Sequence, residues 1–197
     1  MSATALPKLS TRPLEEVTTR LDLPAEAAAL LAGRADVPGA LAALASGGFL
    51  VEASRMVAHA LPRREAVWWA CMCAVHTAPP DLAEPDRRAR ELAEEWVRKQ
   101  ADEVRRAAMA EAERAGFGSP ECWAAVGAFW SGDSMSPLGQ PLVPPAPHLA
   151  GTAVAGSVAL AAVRSDPSRQ KVRLQRFLES ARDIAAGGTG RLVAEAS

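Results

Sequence analysis

Runs in which β-branched and polar residues alternate, the mark of half-buried strands, are missing from this chain of 197 residues. Their absence excludes a substantial sheet. No apolar run is long enough for a bilayer either, since the longest, residues 66–75 and 153–163, fall well short of the roughly 20 residues that a span needs. A formal net charge of −1 leaves no basic excess, which argues against a general binder of nucleic acid or of anionic membranes. Tyrosine is absent, histidine and cysteine number three each, and no H-E-x-x-H pair, G-x-S-x-G elbow, phosphate loop or dinucleotide fingerprint occurs. The first residues, MSATALPKLSTRP, lack the apolar stretch of a secretory signal. With an odd number of free thiols, this points to the cytoplasm.

What remains is rich in alanine and half apolar, the composition of a folded helical protein. The expected fold is all-α, a compact domain of about eight to ten helices over residues 13–187, with flexible tails at 1–12 and 188–197. Residues 66–75, AVWWACMCAV, carry no polar face, so their helix is expected at the centre. A second apolar helix, 149–164, is expected inside as well. Trp68, Trp69 and Trp96 lie on apolar stripes and are expected in the core. The charged stretch 86–115 has one apolar stripe, Leu92, Trp96, Val97, Ala101, Val104, Ala108 and Ala112, and reads as one long helix or as two broken near residues 99–101. Residues 131–147, SGDSMSPLGQPLVPPAP, hold five prolines and form the one clear non-helical segment.

Several blocks resemble one family. Residues 61–71, LPRREAVWWAC, then Arg105-Arg106-Ala107-Ala108-Met109, then Ala128-Phe129-Trp130-Ser131-Gly132 and the proline run ending in His148-Leu149 are similar to the motifs of an uncharacterised bacterial all-helical family, a domain of unknown function. The resemblance spans roughly residues 14–186. It implies no catalytic residue, and at most an accessory role beside type VI secretion.

The chemistry-bearing residues read mostly as structure. Cys71 and Cys73 point about 200° apart on a helix, so they cannot close on one metal ion, and neither a metal nor a cofactor is expected. His59 and His76 suit helix ends. Arg63 and Arg64 stand in a first turn, against the helix dipole, and call for a carboxylate from Glu91, Glu94 or Glu95; the alternative is an anion or a partner's acidic group. Arg169, Arg173 and Arg176 share a face of the last helix and read as solvated.

The leading function is therefore that of a non-enzymatic interaction or adaptor protein docking another protein. The proposed surface comprises Trp130, Asp133, Ser134, Leu142, Val143 and His148, on a loop of a length that is usually functional or disordered. Under a competing account Leu138, Leu142 and Val143 pack on the domain itself. A small-molecule binder or enzyme, with a groove around Trp130, Asp133, Ser134 and His148, is the second reading. A nucleic-acid regulator using the arginines of residues 169–182 is the third.

Overall fold

The computed structural model describes residues 5–195, and among these every regular element is helical. Proline sets many of the starts. Pro13, Pro24 and Pro62 stand immediately before α1 (Leu14–Thr18), α2 (Ala25–Leu30) and α5 (Arg63–His76). Prolines also occupy the first turn of α3 (Val37–Ser46), α6 (Glu84–Lys99) and α8 (Pro120–Phe129), where a missing N–H is harmless. Asp36 caps α3 by accepting from the Gly39 N–H at 2.8 Å, and Ser119 caps α8 by accepting from that of Cys122 at 3.2 Å. The remaining helices are α4 (Leu50–Ala60), α7 (Asp102–Arg114), α9 (Leu149–Val163) and α10 (Gln170–Ala185).

The charged stretch is two helices. Gln100 takes a left-handed conformation, φ 50° and ψ 30°, with its N–H on the Trp96 carbonyl at 2.6 Å, and this turns α7 back against α6.

The helix α5, apolar throughout residues 66–75, is central, packed by α6, α8, α9 and α10. Trp69 is fully buried, and its indole N–H donates to the Phe177 carbonyl of α10 at 2.8 Å. Gly127 lets α8 approach both neighbours: a Cβ there would lie 3.2 Å from the Val154 side chain and 3.5 Å from that of Val67. One ion pair is sealed into this packing. Glu121, fully buried in the first turn of α8, takes both guanidinium arms of Arg164 at the end of α9. Trp96 is buried as expected, whereas Trp68 is only half-buried.

Three expectations need correction. The stretch 5–12 is not a loose tail, because Pro7–Leu9 form a 3-10 turn that buries Leu9 completely and brings Lys8 to within 3.1 Å of Glu65. Residues 188–195 are likewise tied down. The Thr189 carbonyl accepts from Trp68 Nε1 at 2.6 Å, the Gly190 carbonyl from Ser180 Oγ at 2.5 Å, and the Glu195 N–H donates to the His76 carbonyl at 2.8 Å. The outer parts of both expected tails, residues 1–4 and 196–197, lie outside the described residues. Finally, α9 is inside on one side only, for Thr152 and Ala159 are exposed and Ala155 and Gly156 half-exposed.

No helix of the described residues is long and apolar enough to cross a membrane.

Candidate functional site

The non-helical segment starts where α8 ends, and a buried arginine of α7 organises it. Arg105 is 2% exposed; it donates to the Phe129 carbonyl at 3.0 Å and to that of Ser134 at 2.8 Å, and its guanidinium stands 5.1 Å from the Phe129 ring centroid. Asp102, one turn earlier, supplies the countercharge. Gly132 lies directly beneath this side chain, where a Cβ would sit within 2.1 Å of Arg105 Nε. Arg106 adds a bond to the Ser136 carbonyl at 2.7 Å, and Arg63 of α5 one to that of Ser131 at 3.3 Å. The three motif blocks read from the sequence thus meet at the base of one loop.

Above this base the chain closes on itself. Ser134 Oγ accepts from the N–H groups of Ser136 at 3.1 Å and Val143 at 3.0 Å, while the Met135 N–H donates to the Val143 carbonyl at 2.8 Å. At the tip the Gln140 N–H reaches the Pro137 carbonyl at 3.2 Å, with Gly139 at φ +81° supplying the left-handed residue that this tight turn requires. Pro145 is buried and fixes the returning limb. The apolar side chains between these ties face solvent: Leu138 is 76% exposed, Leu142 75% and Val143 50%.

The expected site residues divide accordingly. Asp133, Leu142 and Val143 are exposed on the loop. Trp130 is half-buried at its root, edge-on to Trp123 with ring centroids 6.5 Å apart. Ser134, expected at a polar rim, is instead 3% exposed and occupied by the loop's own amides. His148 lines a separate crevice with Arg12, Glu16 and His59. Leu138 and Leu142 stand mostly in solvent rather than packed onto the helices, and Val143 is half exposed.

Arg63 and Arg64 do not find the expected carboxylate. Glu91 pairs with Arg87 at 3.2 Å, Glu94 with Arg90, and Glu95 with Lys99 at 2.7 Å. Arg64 Nε donates to the Val97 carbonyl in the last turn of α6 at 2.8 Å, as Arg63 does to Ser131 just beyond α8. Carbonyls at helix C-termini lack intrahelical partners and carry the negative end of the dipole, so they answer these cations without an acid. Of the arginines expected on a solvated face, Arg169 and Arg176 are exposed, but Arg173 is 4% exposed, bonded to the carbonyls of Ala162 and Arg164 at 3.2 and 2.6 Å and to Glu195, which also takes Arg169 at 3.1 Å.

Cys71 and Cys73 are buried, and burial pushes both thiols well above their ordinary range. Cys122, beside Ser119 and Asp86, is pushed up to about 11, chiefly by burial. All three are therefore thiols rather than nucleophilic thiolates at neutral pH. Among the described residues no three His, Cys, Asp or Glu side chains stand together as metal ligands would.

Arg105 was the residue that sequence reasoning missed. The signal was present, since it shares the stripe of Ala101, Val104, Ala108 and Ala112 and is an arginine where that face is buried.

Neither a curated protein nor a solved structure matches this chain. A family model does, over residues 40–185, a range that takes in α4 to α10 and the whole loop. On that match the chain belongs to the Family of unknown function (DUF6931).

Proposed function

We propose that the protein is a non-enzymatic interaction or adaptor protein of the cytoplasm, docking another protein through residues 131–147. The observation that carries this reading is the exposure of Leu138, Leu142 and Val143 on a segment whose base is fixed by Arg105, Arg106 and Ser134. Burying one such side chain fully is worth about 1.5–3 kcal/mol, and the domain forgoes most of that gain at Leu138 and Leu142 and part of it at Val143. Because the segment is already ordered, docking loses little further conformational freedom. Residues 141–147, PLVPPAP, suit an extended, proline-rich ligand. The partner that fits them is a protein with an apolar groove lined by aromatic side chains. An accessory place beside a bacterial secretion apparatus is the setting that the family resemblance implies.

The test uses the full chain with Leu142→Ser and Val143→Ser combined. Proteins recovered with the parent from its native host should be lost with this variant, while the melting temperature moves by no more than about 2 °C, as surface substitutions do. A synthetic peptide of residues 136–148 should displace the recovered protein from the parent. Retained recovery with no displacement by the peptide would sink the proposal. A large fall in melting temperature would show the loop to be a strap on its own domain.

A further inference from the structure

Trp68, in the second turn of α5, keeps part of its indole uncovered, and beside it lies a cleft of about 340 Å³. The walls come from the 3-10 turn at Lys8, the first two turns of α5, the last turns of α6 and α10, and residues 188–191. Val97 and Ile184 add apolar side chains to that of Trp68. The Trp68 Nε1–H is spent on the Thr189 carbonyl at 2.6 Å, so this aromatic surface has no donor left to offer. Among the described residues no guanidinium lies over its ring either.

The charge around this surface is lopsided. Lys8 and Glu65 answer each other at 3.1 Å, which leaves Arg64, Arg98 and Arg191. Arg64 gives its Nε–H to the Val97 carbonyl at 2.8 Å, and its terminal amino groups form no bond among the described residues. Glu95, three residues before Arg98, is held by Lys99 at 2.7 Å. Glu179 and Asp183 share a neighbouring crevice with Arg191 and do not pair with it. Exposed arginines are ordinarily solvated and mean little one at a time. Here three of them rim one concavity. The C-termini of α6 and α10 reach it with about half a negative charge each, while the N-terminus of α5 brings about half a positive charge. Roughly two to three positive charges therefore stay unanswered beside an apolar wall.

We infer that this cleft binds an aromatic phosphate monoester, whose phosphate meets Arg64, Arg98 and Arg191 and whose ring lies against Trp68 and Val97. A carboxylate would answer only one of the charges. A phosphate monoester carries about −1.5 to −2 at neutral pH and offers three acceptor oxygens, one for each guanidinium. The wall beside them favours an apolar body, since no side chain of that wall has a free donor. An anion is also the alternative that the sequence holds open for Arg64, whose expected carboxylates are all taken. The site shares no residue with the loop at 131–147, so it stands or falls apart from the docking role.

Calorimetric titration of the full chain with 1-naphthyl phosphate near neutral pH tests it, with 1-naphthol and inorganic phosphate at matched ionic strength as controls. The ester should bind once per chain with Kd below about 1 mM, and each control at least about tenfold more weakly. Arg98→Gln and Arg191→Gln, both at exposed positions, should each weaken the ester about tenfold, as loss of one charged contact does. Their melting temperatures should stay within about 2 °C of the parent. Arg88→Gln, at an exposed position of α6 that does not border the cleft, should bind as the parent does, which separates this site from a general attraction to positive charge. A short tyrosine-phosphorylated peptide that binds more tightly than the naphthyl ester would place the group on a protein, and one that binds more weakly would place it on a free small molecule. The proposal is overturned by no saturable heat with the ester, by equal binding of inorganic phosphate or of naphthol, or by unchanged affinity in both arginine variants of the cleft.

Discussion

Two irregular segments, residues 131–148 and residues 186–195, are ordered by the same device and put to different uses. Each is tied to the helices by a nearly buried arginine: Arg105 donates to the carbonyls of Phe129 and Ser134, whereas Arg173 directs its carbonyl bonds to Ala162 and Arg164 at the end of α9 and holds its segment through the Glu195 carboxylate. They differ in the source of the countercharge. Arg105 is neutralised from its own helix by Asp102, so the loop brings it carbonyls only. Arg173 is neutralised by Glu195, which belongs to the segment itself. The second segment is consequently held along its length, by Trp68, Ser180, Asp183 and His76 as well, and covers helix ends. The first is held at its base and by bonds within itself, and its outer apolar side chains are left on display.

The comparison predicts a ranking. Arg105→Met should have the largest effect, about 3–5 kcal/mol by chemical denaturation, because two charge-assisted bonds to buried carbonyls vanish together. It should also open the loop to proteases; an unchanged midpoint would mean that the loop holds itself.

Glu195→Gln should cost less, about 1 kcal/mol, because Arg173 keeps its carbonyls and the pair is partly solvated. Burial works against the Glu195 carboxylate, but the Arg173 bond and the charges of Arg173 and Arg169 outweigh it and hold its pKa below the usual value. The stability it contributes is then full above the unfolded value of about 4.3 and lost as pH falls through the lower folded one. Melting curves of Glu195→Gln should lack that part of the acid loss, and parallel curves for parent and variant would refute the clamp.

The smallest effect should come from the tip. Gly139→Ala places a side chain at φ +81° in open space, so only the backbone penalty of about 1 kcal/mol applies. No loss at all would mean that the turn readily takes another form.

What could be read in advance followed from periodicity and punctuation. The central place of α5 came from the lack of a polar face over residues 66–75. The break at Gln100 carried no glycine or proline, so residue type left one helix or two open. For α9 hydropathy overstated burial, because alanine and glycine count as apolar while carrying too little surface to demand cover. In the candidate site, the exposed loop and its apolar residues were legible, but Ser134 as a tie was not, since it accepts from main-chain N–H groups that any sequence possesses, and Arg105 showed only as an arginine on a buried stripe, its carbonyl partners unmarked. The order of residues 188–195 was invisible for the same reason.

That last segment also bears on how the protein is made. The carbonyls of Val193 and Thr189 meet His76 Nδ1 and Trp68 Nε1 across 117 and 121 residues of chain. Chain elongation delivers α5 long before these partners, so Trp68 Nε1 and His76 Nδ1 lack their native acceptors while everything between is synthesised. Contacts so distant in sequence slow folding and prolong the life of partly built states. Closure of this domain therefore requires His76 to meet Val193 and Glu195, which complete a helix lying more than a hundred residues earlier in the chain.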